Sequence, residues 1–287
     1  LLGKTYVDFA HKLLDAEELN IEIENGNYDD LDDCDSSIPH LLSDYKIGYL
    51  FIIGGNDSAA NVKELGHLSK LNGYKLQVIH VPKTIDNDLI GTDHSPGYGS
   101  TARFVALATM GAGKDAQTMG ESAPITILEV MGRDAGWIAA SSSLGKNNYH
   151  DPPHLVCIPE QIIDCENFVN QLENAYRRFG YAVAVVAENS QNADGIIGKK
   201  EKALYEDQFG HKYFEGAGYH LSKLAESQLK VRVRYEKPGT IQRSMIACIS
   251  SIDAAEAEMV GTKAVQYALE GATEVMVAIK REELASK

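Results

Sequence analysis

Six apolar runs, each closing on glycine or polar residues, constrain this chain more than any other feature. They are IGYLFIIGG (47–55), LQVIHVPKTIDND (76–88), PITILEVMG (124–132), HLVCIPE (154–160), YAVAVVAENS (181–190) and EVMVAIKR (274–281). A strand covered on both faces has no reason to alternate apolar with polar residues, so unbroken runs of this kind predict buried parallel strands. The intervening segments fit that reading. DSAANVKELGHLSKLNG has helical spacing and ends on Gly73, SPGYGSTARFVALATMGAGKDAQTMG reads as a loop and a long helix, and DAGWIAASSSLG as another helix. Strand and helix in alternation predict an α/β fold: a mostly parallel sheet with helices on both faces. At 287 residues, 44% of them hydrophobic, the chain can bury a sizeable core and is expected to hold two domains.

In this fold class ligands bind outside the carboxyl ends of the strands. Four of those ends carry residues of a site-building kind: GGND (54–57), PKTIDND (82–88), MGRD (131–134) and ENS (188–190). In the first, Gly54 and Gly55 let backbone approach a ligand, with the Asn56 amide and the Asp57 acid close behind. The plainer alternative is a tight strand-to-helix turn capped by Asp57 or Ser58.

PKTIDND places Lys83 and Thr84 just ahead of Asp86 and Asp88. One carboxylate can take a proton from a substrate hydroxyl, and a second can hold Mg²⁺ or the first acid in place. A lysine beside them can neutralise transferring phosphate oxygens. Those are the parts of phosphoryl transfer, where positioning and charge compensation supply most of the catalysis. The alternative is a turn whose carboxylates bond their own backbone.

Arg133 in MGRD can clamp a phosphate or sugar, or make a surface ion pair. Glu188 stands at a strand end, with a helix cap as the plain alternative. VRVRYEKPGTIQRS (231–244) gathers Arg232, Arg234, Lys237 and Arg243. In an acidic chain this local reversal of charge suits a sugar phosphate; an edge strand with exposed basic residues is the other reading.

The net charge of −14, from 27 basic and 41 acidic residues, argues against a nucleic-acid or anionic-membrane partner. A small basic pocket can still take an anionic metabolite. No apolar run approaches ~18 residues and no signal peptide is visible, so the expected compartment is cytoplasmic. The four cysteines form no CxxC pair and are read as reduced thiols. There is no HxxxH metal spacing, no GxSxG elbow and no GxxxxGK[ST] phosphate loop. Residues 13–45 hold eleven acids and neither lysine nor arginine, which predicts a solvated face or mobile insertion. The chain opens on Leu1, so its native start is expected upstream.

Taken in order, IGGND, PKTIDND, SPGYGSTARF, EVMGRDAGWIAA, IPE, AENS and PGTIQRS resemble the 6-phosphofructokinase family over roughly residues 45 to 281. The resemblance implies two Rossmann-like three-layer α/β domains with the active site in the cleft between them. Residues 1–98 with about 242–287 would form the phosphoryl-donor domain, and 99–241 the fructose 6-phosphate domain. It implies that Asp86 is the base for the fructose 1-hydroxyl, with Lys83, Thr84 and Asp88 as its catalytic neighbours. Met131, Gly132 and Arg133 match the sugar-phosphate contact segment, Glu188 the acid on the sugar hydroxyls, and Arg243 an arginine on the 6-phosphate. Arg234 matches one that reaches the same phosphate across a subunit interface, which implies a homo-oligomer, dimer or tetramer. Mg²⁺ is the implied cofactor, assigned to Asn56 and Asp86. Gly54, Gly55, Asp57 and Lys83 are assigned to the donor.

Two positions bear on that donor. ATP-using members have glycine where Asp57 and Lys83 stand, whereas an acid and a lysine mark the pyrophosphate-using branch. A carboxylate at Asp57 repels the α-phosphate of a nucleotide, and Lys83 can pair with pyrophosphate. The resemblance therefore implies reversible transfer from pyrophosphate to fructose 6-phosphate. An ATP-dependent enzyme and a non-catalytic regulatory subunit are the alternatives. The chain departs from the family pattern at Asn56 (usually an acid), Pro124 (often a second cross-subunit arginine) and Thr240 (often a histidine). The family's N-terminal glycine-rich donor loop is absent from the sequence.

Overall fold

The computed structural model describes residues 34–198, 205–206, 212–213 and 215–281. Its principal elements in chain order are α1 (Cys34–Asp44), β1 (Tyr49–Gly54), α2 (Asn56–Leu71), β2 (Gln77–Pro82), α3 (Tyr98–Met119), β3 (Ile125–Val130), α4 (Trp137–Ser141), β4 (Leu155–Cys157), α5 (Cys165–Phe179), β5 (Ala182–Ala187), α6 (Ala217–Leu229), β6 (Val233–Glu236), α7 (Ser251–Leu269) and β7 (Val275–Met276). The acidic stretch lies outside the described residues over 13–33, and its remainder is mostly α1. Among the described residues no helix is long and apolar enough to cross a membrane.

The chain divides into two compact units. One takes the described residues up to Pro82 together with Val260–Ala278. Its sheet is parallel, in the order β1-β2-β7, and Gly54 is the register partner of Pro82. Leu50, Ile52 and Val78 pack with Leu42 of α1 and with Val62 and Leu65 of α2. The His80 ring is buried and its Nε2 lies 2.9 Å from the Gly54 carbonyl. That contact ties the closing residue of β1 to β2, and burial holds the imidazole pKa below its usual value.

The second unit takes Lys83–Met259 and the residues from Ile279 onward. Four parallel strands run in the order β6-β3-β5-β4, and every residue of β3 and β5 is buried. Alternate residues of a strand face opposite sides. Ile125 and Ile127 therefore pack with Phe168 and Leu172 of α5 and Leu221 of α6. Leu128 and Val130 pack on the other side with Val105 of α3 and Ile138 of α4. Helices thus cover both faces of this sheet, as the apolar runs predict. The last run is realised only in part. EVMVAIKR contributes two ladder residues, Val275 and Met276. Ile279 then leaves the ladder, its carbonyl accepting the Asp93 N–H at 2.9 Å and its own N–H donating to the Thr92 hydroxyl at 3.0 Å.

Helix α3 begins at Gly97, which has φ of 107° and offers no side chain to its N-terminal amides. A helix start leaves its first N–H groups without intrahelical partners. Asp253, 4% exposed, supplies them from α7: its carboxylate accepts the Gly97 N–H at 2.8 Å, the Ser100 N–H at 2.9 Å and the Ser100 hydroxyl at 2.7 Å. Hydrogen bonds to a charged acceptor contribute more than neutral ones. Asp253→Ala is expected to cost about 2–3 kcal/mol in urea denaturation, and Asp253→Asn, which keeps one acceptor, distinctly less.

Candidate active site

The PKTIDND loop leaves the carboxyl end of β2. Thr84 forms a backbone bridge with Gly97, and its Oγ1 accepts the Asp86 N–H at 3.2 Å. Asn87 adopts φ of 56°, and its Oδ1 accepts the Ser95 N–H at 2.9 Å. The loop is therefore a bonded turn, with the Thr84 hydroxyl and the Asn87 amide among the side chains that tie it down. That arrangement fixes Asp86 between them.

Beyond β3, Gly132 takes φ of 134°, and a Cβ there would stand 2.7 Å from the Ala135 carbonyl oxygen, so only glycine fits. Arg133 follows with φ of 49°, a left-handed conformation that a side-chain-bearing residue adopts at a cost. Its Nε stands 4.0 Å from Asp86 Oδ2, and its backbone N–H donates to Glu188 Oε1 at 3.1 Å. Glu188 arrives from β5 with its own N–H on the Val130 carbonyl at 2.9 Å. It thus receives Arg133 rather than capping a helix, and the ion pair expected of Arg133 is made with Asp86. Gln242 completes the group: Oε1 accepts the Met131 N–H at 3.1 Å, while Nε2 donates to the Gly239 carbonyl at 2.9 Å.

Lys83, Thr84, Asp86, Asp88, Met131, Gly132, Arg133, Glu188 and Arg243 all belong to the second compact unit. Burial pushes the Asp86 carboxyl above its ordinary value, and the charge of Asp88 adds to the rise; Arg133, the Thr84 hydroxyl and Lys83 oppose it. Glu188 is raised too, first by burial, against the Arg133 N–H and Lys237. Two neighbouring acids, each pushed upward first by burial with a nearby carboxylate adding to the rise, share a partly dry setting. Such a site can accept a proton and welcomes a cation. Among the described residues no group of three or more His, Cys, Asp or Glu side chains encloses a metal. Mg²⁺ needs no such cage when one or two carboxylates and substrate phosphates bind it. The repelling pair Asp86 and Asp88 has the donor chemistry for that.

The basic segment is divided in use. Val233–Glu236 is an edge strand on β3. Arg234 is ion-paired with Asp115 of α3 in the same chain, and Lys237 with Glu129 at 2.8 Å. Arg243 ends the 3₁₀ turn Gly239–Arg243, exposed and with no ion pair among the described residues.

Gly54, Gly55, Asn56 and Asp57 belong to the other unit. A Cβ on Gly54 would run into the Ser58 side chain, which requires glycine there. The cap expected from Asp57 or Ser58 is not made: Gly55 holds the N-cap position of α2, without a side-chain bond. The helix begins two residues earlier than a cap at Asp57 allows, and three earlier than one at Ser58. Asp57 instead sits in the first turn, where the positive end of the helix favours an acid.

Gln242, Glu129 and Asp253 are residues that sequence reading passed over. Glu129 had a signal, an acid inside an otherwise apolar run.

Residues 26–268 match the family model described as Phosphofructokinase. The chain is 41% identical over 248 residues to a pyrophosphate–fructose 6-phosphate 1-phosphotransferase of Rhodospirillum rubrum, an alignment taking 84% of this chain and 60% of that protein. A Halomonas elongata protein of the same description is 39% identical over 238 residues, taking 83% and 56%. A solved structure of a pyrophosphate-dependent phosphofructokinase from Marinobacter aquaeolei matches with a TM-score of 0.75 at 32% identity, covering 87% of this chain and 59% of that one. The chain therefore spans about three fifths of the length of these relatives.

Proposed function

This chain belongs to the phosphofructokinase family, and from that premise we propose that it moves a phosphoryl group from pyrophosphate to the 1-hydroxyl of fructose 6-phosphate. The observation that carries the reading is the Asp86 carboxylate, raised by burial, facing Arg133 and flanked by Asp88. Asp86 takes the proton of the 1-hydroxyl as that oxygen attacks phosphorus. The bridging P–O bond of pyrophosphate breaks, and inorganic phosphate leaves with the bonding pair. Lys83 and Arg133 offset charge on the transferring group. Met131, Gly132, Arg133 and Glu188 hold the sugar, and Arg243, without an ion pair among the described residues, takes the 6-phosphate. Bound Mg²⁺ would neutralise phosphate oxygens, with Asp86, Asp88 and, from sequence position alone, Asn56 as its protein contacts. Reactants and products are of similar phosphate energy, so the reaction runs in both directions.

On the same reading, residues 1–98 with about 242–287 serve the donor and 99–241 the sugar phosphate. Gly54, Gly55 and Asp57 line the donor side. The protein works in the cytoplasm as a homo-oligomer, dimer or tetramer, in which Arg234 exchanges Asp115 for a phosphate.

The test is a coupled assay of the full protein with fructose 6-phosphate and Mg²⁺, offered pyrophosphate or ATP. Turnover with pyrophosphate alone is expected. Turnover with ATP alone would transfer the chain to the nucleotide-using branch, and none with either donor would favour a regulatory subunit.

A further inference from the structure

Glu129 is a buried acid that the reaction does not use. It stands in β3, its side chain fully enclosed, on a strand whose other residues are Ile125, Thr126, Ile127, Leu128 and Val130, all buried. An ionised carboxylate in such a place needs partners. Two stand against it: the Gly218 N–H donates to Oε2 at 2.9 Å, and Lys237 Nζ lies 2.8 Å from Oε1. The start of α6 is shaped around the acid, because a Cβ on Gly216 would run into the carboxylate. Strand register sets the lysine in place. Leu128 pairs with Glu236, so Glu129 and Lys237 are the next residues along the two strands.

Lys237 is thus not free for a substrate phosphate, although it shares a segment with Arg243. Its bearing on the site comes through the backbone. The chain turns at Pro238 into Gly239–Arg243, which is tied to the sugar-contact segment through Gln242 and the Met131 N–H. The turn therefore has one anchor at its start and another near its end, and Arg243 projects from it. The anchored lysine also lends positive charge to Glu188, opposing the effects of burial, Glu129 and Asp86 on that acid, while the Arg133 N–H bonds it directly.

We propose that Lys237, held on buried Glu129, is a positioning residue that fixes the 238–243 turn so that Arg243 meets the sugar phosphate. The proposal rests on fructose 6-phosphate being the acceptor. It separates from that reading because the tether has a signature without substrate.

The experiment compares the full wild-type protein with Lys237→Met and Lys237→Arg. Amide hydrogen exchange across 238–243, with no sugar present, is expected to quicken severalfold in Lys237→Met and to stay near wild type in Lys237→Arg. KM for fructose 6-phosphate is expected to rise about tenfold in Lys237→Met with kcat held within about twofold, since the loss falls on binding. Lys237→Arg should recover most of that rise. Unchanged exchange overturns the tether, and quickened exchange with unchanged KM overturns its bearing on the sugar. If Lys237→Met fails to fold, the double variant Glu129→Gln/Lys237→Met leaves no unpaired buried charge and must still show the raised KM; a normal KM there overturns the proposal. Wild-type protein that neither binds nor converts fructose 6-phosphate would instead defeat the acceptor reading, with the exchange result standing apart.

Discussion

Asp86→Asn is expected to lower kcat by about 10³-fold, within the range for removing a positioned general base, while leaving the folded protein at least as stable as wild type. The two effects share one cause. Burial and the charge of Asp88 raise the Asp86 carboxyl above its ordinary value. The folded chain therefore keeps that proton to a higher pH than the unfolded chain. Stability falls as pH rises through the window between the unfolded and folded values, and ionised Asp86 costs stability above it. Asparagine removes the costly charge and keeps the shape. Activity moves the opposite way, since the base must be ionised to accept a proton. The acid limb of kcat/KM should lie above the ordinary aspartate value of ~3.9. Asp88→Asn removes a contribution that raises Asp86 and should shift the limb down; Arg133→Met removes one that lowers it and should shift the limb up. Urea denaturation near neutral pH and a pH–rate profile check both halves. A loss under tenfold in Asp86→Asn would mean that another group takes the proton.

That site was partly legible in the sequence because of how a parallel sheet is built. A strand buried on both faces shows as an uninterrupted run, and in this fold the residue after the run is where ligands sit. Asp86, Arg133 and Glu188 each come after such a run, and the structure brings all three into one unit. What the runs could not convey is pairing at long range. Gln242 reaches Met131 across 111 positions, and Asp253 reaches Gly97 across 156. Neither residue has a local pattern, because each is chosen by a backbone amide supplied from a distant loop. The basic segment misled for a related reason. Its lysine and arginines read as one patch, yet Arg234 and Lys237 are taken by Asp115 and Glu129, while Arg232 and Arg243 make no ion pair among the described residues. Local composition counts charges and cannot show which are already paired. The cap expected of Asp57 or Ser58 is not made, because the helix already starts at Asn56, ahead of both.

Replacing Lys83 with glycine is expected to lower kcat/KM for pyrophosphate by about 10²-fold, the scale for losing one electrostatic contact to a transferring group. Asp57→Gly alone should change pyrophosphate use little, because its proposed work is exclusion. Repulsion between its charge and an α-phosphate at about 4 Å ranges from ~1 kcal/mol in water to ~4 kcal/mol near a protein surface. Asp57 is exposed in the first turn of α2, which favours the lower part of that range. Charge alone then discriminates against ATP by roughly tenfold or less, and the rest must come from the space its side chain fills. Asp57→Asn separates the two contributions, since it removes the charge and keeps the bulk. ATP turnover in Asp57→Gly but not in Asp57→Asn would identify bulk as the filter, whereas equal gains would identify charge. If the double variant Asp57→Gly/Lys83→Gly still prefers pyrophosphate, donor choice resides elsewhere in the protein. A double variant that turns over ATP would show that these two positions, one rejecting and one attracting, suffice to set it.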